Sequence, residues 1–296
     1  MRIYVDHRTE YRYERPVVLG EHSLFLRPRE SQSLHVASFS LETDPVCKIR
    51  WVRDCFNNVV AVASFNPEPT SSVVFQCRMR FEVIEDNPFD FILERRAAEF
   101  PFAYDERERS ALSPYLQAAS STESAALSAW LQDTLGDPRR TRDTTILLTD
   151  LNRAVHDSIA YTRRDEEGTR SADETLRLRS GSCRDMAELF IAASRALGLA
   201  ARFVSGYLCE SAASSTSGSS HNAATGSMHA WAEVYLPGAG WRGFDPTNGI
   251  MTTHHFVTSA VSNRPDWVNP IQGQYLHRGR VDSRMSVELN VGAVEA

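Results

Sequence analysis

The chain has 296 residues, 42% of them hydrophobic and 24% charged, with a formal net charge of −6. Its 32 Lys and Arg against 38 Asp and Glu leave no basic footprint, so nucleic acid and an anionic membrane are poor partners. Such a length forms one large core or two domains, and no apolar run approaches the roughly 20 residues of a spanning helix.

The N-terminus, Met1-Arg2-Ile3-Tyr4-Val5-Asp6, alternates like a strand and lacks the apolar segment of a signal peptide. Segments 38–43, 48–53, 59–64 and 73–83 alternate or carry β-branched residues between turn signals, which predicts a β-sandwich-like module over residues 1–85. Glu85-Asp86-Asn87-Pro88 breaks the pattern, and residues 86–120 read as a charged, aromatic linker. Helical patterning over 124–135 and 147–159 opens a second part, residues 121–296. The five cysteines are odd in number and contain no Cys-x-x-Cys pair, so neither a disulfide framework nor a structural zinc site is indicated. Cys47, Cys55, Cys77 and Cys209 read as core or strand thiols, with a reducing cytoplasm as the default setting. His254-His255 is a poor metal site, because neighbours on a strand point to opposite faces.

Gly181-Ser182-Cys183-Arg184-Asp185 introduces a helix in which Met186, Leu189, Phe190, Ala193 and Leu197 recur at helical spacing before Gly198 stops it. Cys183 then stands in or just before the first turn. A free thiol of pKa near ~8.5 is only a few per cent thiolate at neutral pH, so a nucleophilic cysteine needs help. Two devices for it are visible: the positive end of the helix dipole and a histidine able to take the proton. Gly181 permits a sharp entry, Ser182 can cap free N–H groups, and the same amides can hold an oxyanion.

Residues 200–207 read as a strand, 230–235 as a second, and 241–244 as a third after the turn Pro237-Gly238-Ala239-Gly240. With a loop of about five residues, Tyr235 pairs with Trp241 and His229 falls diagonally across from Asp245 on one face; a loop shorter by one residue puts them on opposite faces. Glu233 shares the histidine's face and is the rival carboxylate. Asp245 would fix the tautomer of His229, although Asp245-Pro246-Thr247-Asn248 also makes an ordinary turn. The low-complexity insert 211–227, just before His229, reads as a surface loop or a lid.

These motifs resemble the bacterial transglutaminase-like superfamily, whose members are often described as cysteine proteases: Gly181-Ser182-Cys183-Arg184-Asp185, His229-Ala230-Trp231 and Asp245-Pro246-Thr247 stand in that family's order. The passage Arg195-Ala196-Leu197-Gly198-Leu199 to Gly206-Tyr207 is also similar. Upstream, His7-Arg8-Thr9-Glu10-Tyr11-Arg12-Tyr13 and Leu26-Arg27-Pro28-Arg29 look like the β region that precedes the core in bacterial members. The likeness departs at Asp54-Cys55-Phe56-Asn57-Asn58, where Gly-Asn is usual, and at Asn263-Arg264-Pro265-Asp266-Trp267. It implies an α+β, papain-like core with the nucleophile helix packed on an antiparallel sheet, a cysteine acyl-enzyme, and no required metal or cofactor.

The expected activity is therefore acyl transfer on a peptide, protein or amide substrate, with Cys183 as nucleophile, His229 as acid and base, and Asp245 as its orienter. Hydrolysis is favoured over transfer to an amine, since water needs no second-substrate site; a protein-binding module without chemistry is the reading from another class. Tyr161 is a candidate second oxyanion donor or cleft wall, and Trp231 and Tyr207 are candidates to line a substrate channel. Asp185 reads as a first-turn residue favoured by the dipole rather than as a base. Oligomeric state is left open.

Overall fold

Buried and exposed side chains alternate along Arg2–Leu24 and make one long strand, β1, which serves as the spine of a seven-stranded antiparallel sheet. The computed structural model describes residues 1–84, 87–117, 125–137, 140–164, 166–209 and 228–294, so the insert 211–227 and its reading as loop or lid lie outside the described residues. The first half of β1 pairs with β5 (Pro69–Val83) on one side and β16 (Ser283–Val294) on the other, and β2 (Leu34–Asp44) extends the sheet beyond β5. Near its end β1 pairs instead with β4 (Val59–Ser64), which carries β3 (Lys48–Arg53), and with β15 (Ile271–Leu276). The register slips against β5 between Arg12 and Val17, and against β15 between Leu19 and His22. Irregularities of this kind bend a strand, and here one sheet curls over Ile3, Val5, Val17, Phe75 and Phe81. The sandwich-like character of the N-terminal part comes from this curl.

The division in space differs from the one drawn along the sequence. Residues 271–294, assigned by order to the second part, return to close the first sheet against β1. Strand pairing is non-local, and β15 is largely exposed, so it carries little inward-facing apolar signal. The linker is also more structured than its composition suggests. β6 (Glu99–Phe100) pairs with β7 (Arg142–Asp143), and α1 (Glu106–Leu116) begins at a capping box in which Asp105 accepts from Glu108 N at 2.8 Å and Glu108 accepts from Asp105 N at 3.0 Å. Only Leu112 of α1 is buried and Pro114 lies inside it, which hides the helical period.

The second part contains α2 (Ala125–Leu135), α3 (Thr144–Ser158), α4 (Ala172–Leu178) and α5 (Cys183–Ala196). They accompany a five-stranded antiparallel sheet built from β10 (Ala201–Leu208), β11 (His229–Leu236), β12 (Gly240–Asp245), β13 (Ile250–Met251) and β14 (Phe256–Ser262), in the order β13-β12-β11-β10-β14. Met186, Leu189, Phe190 and Ala193 of α5 pack on Phe203, Ala230, Ala232 and Val234, and Phe190 stacks on Phe244 with ring centroids 5.3 Å apart. This is the expected α+β core with the nucleophile helix lying on the sheet. Two short strands, β8 (Ala160–Tyr161) and β9 (Ser180–Gly181), run parallel and bring Tyr161 beside Gly181 at the entry to α5.

All five cysteines are free, and among the described residues no helix is long and apolar enough to cross a membrane. His254 and His255 lie in a turn rather than a strand, and their rings are 4.1 Å apart instead of opposed. No group of three His, Cys, Asp or Glu able to hold a metal occurs among the described residues.

The two parts meet through polar groups as well as apolar ones. Tyr207, with 0% exposure, donates its hydroxyl to Leu26 O at 3.1 Å and lies 3.1 Å from His7 Nδ1. The other nitrogen of His7 is 2.9 Å from Thr9 Oγ1, and burial pushes the ring's pKa down to about 4. Removing the hydroxyl alone would leave Leu26 O and His7 without that partner in a dry junction. Tyr207→Phe is expected to cost about 1–3 kcal/mol of stability, read as a lower urea midpoint with an unchanged slope.

Candidate active site

Cys183 is the first residue of α5, entered from an extended Ser182. Gly181 is needed for a close approach: a Cβ there would come within 2.8 Å of Asp185 Cβ. Asp185 has no exposed surface and its oxygens are fully engaged. Oδ2 accepts from Ser182 N at 2.9 Å and from the Ser182 hydroxyl at 3.0 Å, Oδ1 accepts from Arg170 N at 2.8 Å, and Arg164 Nη1 lies 2.8 Å from both oxygens. Burial opposes its charge, but these donors and the guanidinium hold the carboxyl below the usual range. Arg184 donates to Arg164 O at 3.1 Å and Glu166 O at 3.0 Å. The start of α5 therefore grips Arg164, Glu166 and Arg170, a role for Asp185 that its reading as a dipole-favoured residue missed. Ser182 likewise turns its hydroxyl to a carboxylate rather than only to the helix.

His229 opens β11 and Asp245 ends β12, and the hairpin between them fixes how they meet. Tyr235 pairs with Trp241 and Leu236 with Gly240 around a turn at 237–239, so the parity expected from the five-residue count holds. His229 Nε2 lies 2.9 Å from Asp245 Oδ2, with the two residues 1% and 0% exposed. Asp245 Oδ1 accepts from Thr247 N at 2.9 Å in an Asx turn, and Oδ2 accepts from Asn248 Nδ2 at 2.6 Å. From α3, Asn152 Nδ2 donates to Ile250 O at 3.1 Å and His156 Nδ1 donates to Thr247 O at 2.9 Å, which fixes the 245–250 turn. The turn sequence and the site sequence are thus the same residues doing both jobs. Glu233, the rival carboxylate, is taken by Arg202 at 2.6 Å, whose guanidinium lies over the Trp241 ring.

Burial disfavours both charges, yet each partner favours the other's ionised form. Desolvation pulls the imidazole down, but the Asp245 charge and hydrogen bond, with a further hydrogen bond and charge from Cys183, carry His229 up to about 10. Burial pulls Asp245 the other way, and His229, Asn248 and Thr247 together keep it below the usual carboxylate range. Nδ1 of His229 is buried and has no hydrogen-bond partner in the protein, and it is the nitrogen that Asp245 does not occupy.

The three aromatic candidates separate. Tyr207 is sealed in the junction with the curled sheet, and Trp231 is 1% exposed, so neither lines an open channel; both strands bury the faces that sequence alternation left unassigned. Trp231 instead stacks on His229 at 29° with centroids 6.2 Å apart, and packs with Val204, Phe256 and Val261. A Cβ on Gly206 would overlap this indole and Val257 O, so that glycine gives the ring its place. Tyr161 is half-buried at the edge of the core, beside the entry to α5.

Comparison with known proteins gives the family. The chain carries a transglutaminase-like core and a bacterial transglutaminase-like N-terminal region: residues 139–246 match the sequence model of the transglutaminase-like superfamily, and residues 3–82 match that of the N-terminal region. A candidate cysteine protease from Cytophaga hutchinsonii has a similar crystal structure, with a TM-score of 0.72 at 18% identity over 100% of this chain and 92% of that one. An uncharacterised protein of Mycobacterium tuberculosis is 26% identical over 92% of this chain and 87% of its own length. One of Mycobacterium leprae is 31% identical over 37% of each.

Two measurements test these clamps. Asp185→Ala removes the buried partner of Arg164 and leaves it only the exposed Glu166 at 3.6 Å, so it is expected to lower stability by about 3–5 kcal/mol and to open the chain to trypsin at Arg163 and Arg164. For the imidazole–carboxylate pair the signs differ by limb. The raised pKa of His229 contributes stability in full below its unfolded value and loses it as pH climbs through about 10, whereas the lowered pKa of Asp245 contributes above its unfolded value and loses it as pH falls through the folded one. Urea unfolding of the wild type should weaken at both extremes, and Asp245→Asn should flatten both limbs.

Proposed function

We propose that the chain is a cysteine hydrolase of peptide or amide bonds that works through a thioester. The observation that carries this reading is a buried imidazole whose Nε2 lies 2.9 Å from Asp245 Oδ2 and whose Nδ1 has no protein partner, together with a thiol at the first residue of α5. His229 takes the proton from Cys183, and the thiolate attacks the carbonyl carbon of the substrate. The negative charge moves onto the carbonyl oxygen, for which the first-turn amides of α5 supply donors and the positive dipole end. As the tetrahedral species collapses, His229 returns the proton to the leaving amine and the acyl group stays on sulfur. Water then gives a proton to His229, attacks the thioester and releases the acid, and the proton goes back to the sulfur.

Asp245 supports both halves by holding one ring tautomer and stabilising the imidazolium. Tyr161, beside Gly181, is the aromatic residue of the three that can meet substrate, as an oxyanion donor or a wall. A protein or peptide is the substrate class in keeping with the protease-like fold, and no metal or cofactor enters any step. Five free thiols fit a reducing compartment, and we assign the cytoplasm on that ground.

Iodoacetamide labelling of Cys183 followed by peptide mapping from pH 5 to 10 tests the thiolate–imidazolium pair. The wild type should label at pH 6 at least about 10-fold faster than His229→Ala, while equal profiles would favour a binding module without chemistry. With a peptide amide substrate, Cys183→Ala should abolish turnover and Asp245→Asn should lower kcat by about 100-fold or more. Single-turnover product analysis in added lysine-like amine separates water from amine: dominance of the amide product at modest amine would make the enzyme a transferase.

A further inference from the structure

The loop between β3 and β4 belongs to the curled sheet, yet it reaches the outer edge of the other one. Asp54 organises it: Oδ1 accepts from Phe56 N at 2.9 Å and Asn58 N at 2.8 Å, and Asn57 takes a left-handed φ of 62°. Asn58, with 0% exposure, uses every hydrogen-bonding position of its amide. Its Nδ2 donates to Asp54 Oδ2 and to Val261 O, both at 2.8 Å. Its Oδ1 accepts from Arg29 Nη1 at 2.7 Å and from Val261 N at 2.9 Å. Arg29 Nη1 also donates to Phe56 O at 2.8 Å.

The bonds to Val261 are those a neighbouring strand would make. β14 pairs with β10 on its inner side, where Val261 is opposite Val204, and its outer side at Val261 is closed by a side chain that imitates a peptide group. The loop adds an apolar contact at the same place. Phe56 packs against the cluster of Val204, Trp231, Phe256 and Val261, and rests 5.9 Å from the Trp267 ring. That cluster is the back wall of the imidazole: Trp231 stacks on His229, and the Phe256 ring is 6.1 Å from it.

We propose that Asn58 is a positioning residue, through which the N-terminal sheet fixes β14, the Trp231–Phe256 wall and hence the orientation of His229 toward Asp245 and Cys183. This rests on the hydrolase reading for its catalytic meaning, although the clamp on the ring can be tested without it. The curled sheet is on this view part of the catalytic apparatus, acting through the loop between β3 and β4. Asn58 touches no reacting atom and acts only through the wall.

The test uses the full-length chain with Asn58→Ala, and Val73→Ala as a control that trims a buried residue of the same sheet away from the loop. The readouts are the NMR titration of the His229 ring and the iodoacetamide labelling rate of Cys183 from pH 5 to 10. Asn58→Ala is expected to shift the ring titration to lower pH and to slow labelling at pH 6 by about 10-fold, one pKa unit of ion-pair equilibrium. Val73→Ala should lower Tm and leave both profiles at wild type. If Asn58→Ala does not fold, Phe56→Ala decides by the same readouts with a smaller shift in the same direction. Profiles matching the wild type in the folded variant overturn the proposal. If wild-type Cys183 labels no faster than in His229→Ala, the hydrolase reading fails, and the ring titration alone still decides whether Asn58 holds the imidazole.

Discussion

A carboxylate and an imidazole taken almost completely out of water govern the rest of this molecule. Neither would stay ionised alone, since burial disfavours each charge by several kcal/mol. Asp245 therefore collects Thr247 N, Asn248 and His229 around its oxygens, and α3 holds the turn that presents them. The ring in turn is backed by Trp231 and Phe256, which leaves its second nitrogen for sulfur. The polar neighbours offset the desolvation cost that the aromatic ones help to impose. A looser arrangement would return the pair to its neutral form and remove the imidazolium that a thiolate would pair with.

How much of this could be read from sequence depended on whether the geometry was local. Helical spacing after Cys183 and strand alternation around His229 and Asp245 are local and group the three motif residues, but whether His229 and Asp245 share a face hung on a loop of five residues rather than four, which only the register decides. Choosing between Asp245 and Glu233 was not local: the answer lies in Arg202 on the neighbouring strand, which occupies Glu233. Tyr207 and Trp231 were indistinguishable from channel residues for the same reason. Their strand faces are covered by another sheet and by an aromatic cluster, neither of which alternation reveals. The capping box at Asp105 and Glu108 was a local signal for α1 that charge-rich composition obscured.

Domain boundaries drawn along the chain also missed how the two sheets depend on each other. β15 and β16 come after the Cys183, His229 and Asp245 motifs and yet pair with β1, so the curled sheet cannot be completed until residues 271–294 have been made. Between these ends the chain makes its other sheet and the helices that lie on it. The two cores share a polar junction at Tyr207, His7 and Leu26. A module with that connectivity is ill suited to act as a detachable recruiting unit. It is better suited to serve as a frame.

The Cys183 end of α5 faces a problem opposite to that of the imidazole. Asp185 stands two residues after Cys183, and a free carboxylate there would repel a thiolate and oppose the helix dipole that favours one. The structure removes the conflict by giving that negative charge to others: Arg164 neutralises it, while Ser182 and Arg170 bind its oxygens. The carboxylate is thereby turned into a tether for the 162–170 segment, with Arg184 as the second tie. One buried acid then shapes the thiol's surroundings without competing for its proton. The other, Asp245, is left to act on the ring, so the two buried carboxylates work in different directions because each has a different counter-charge.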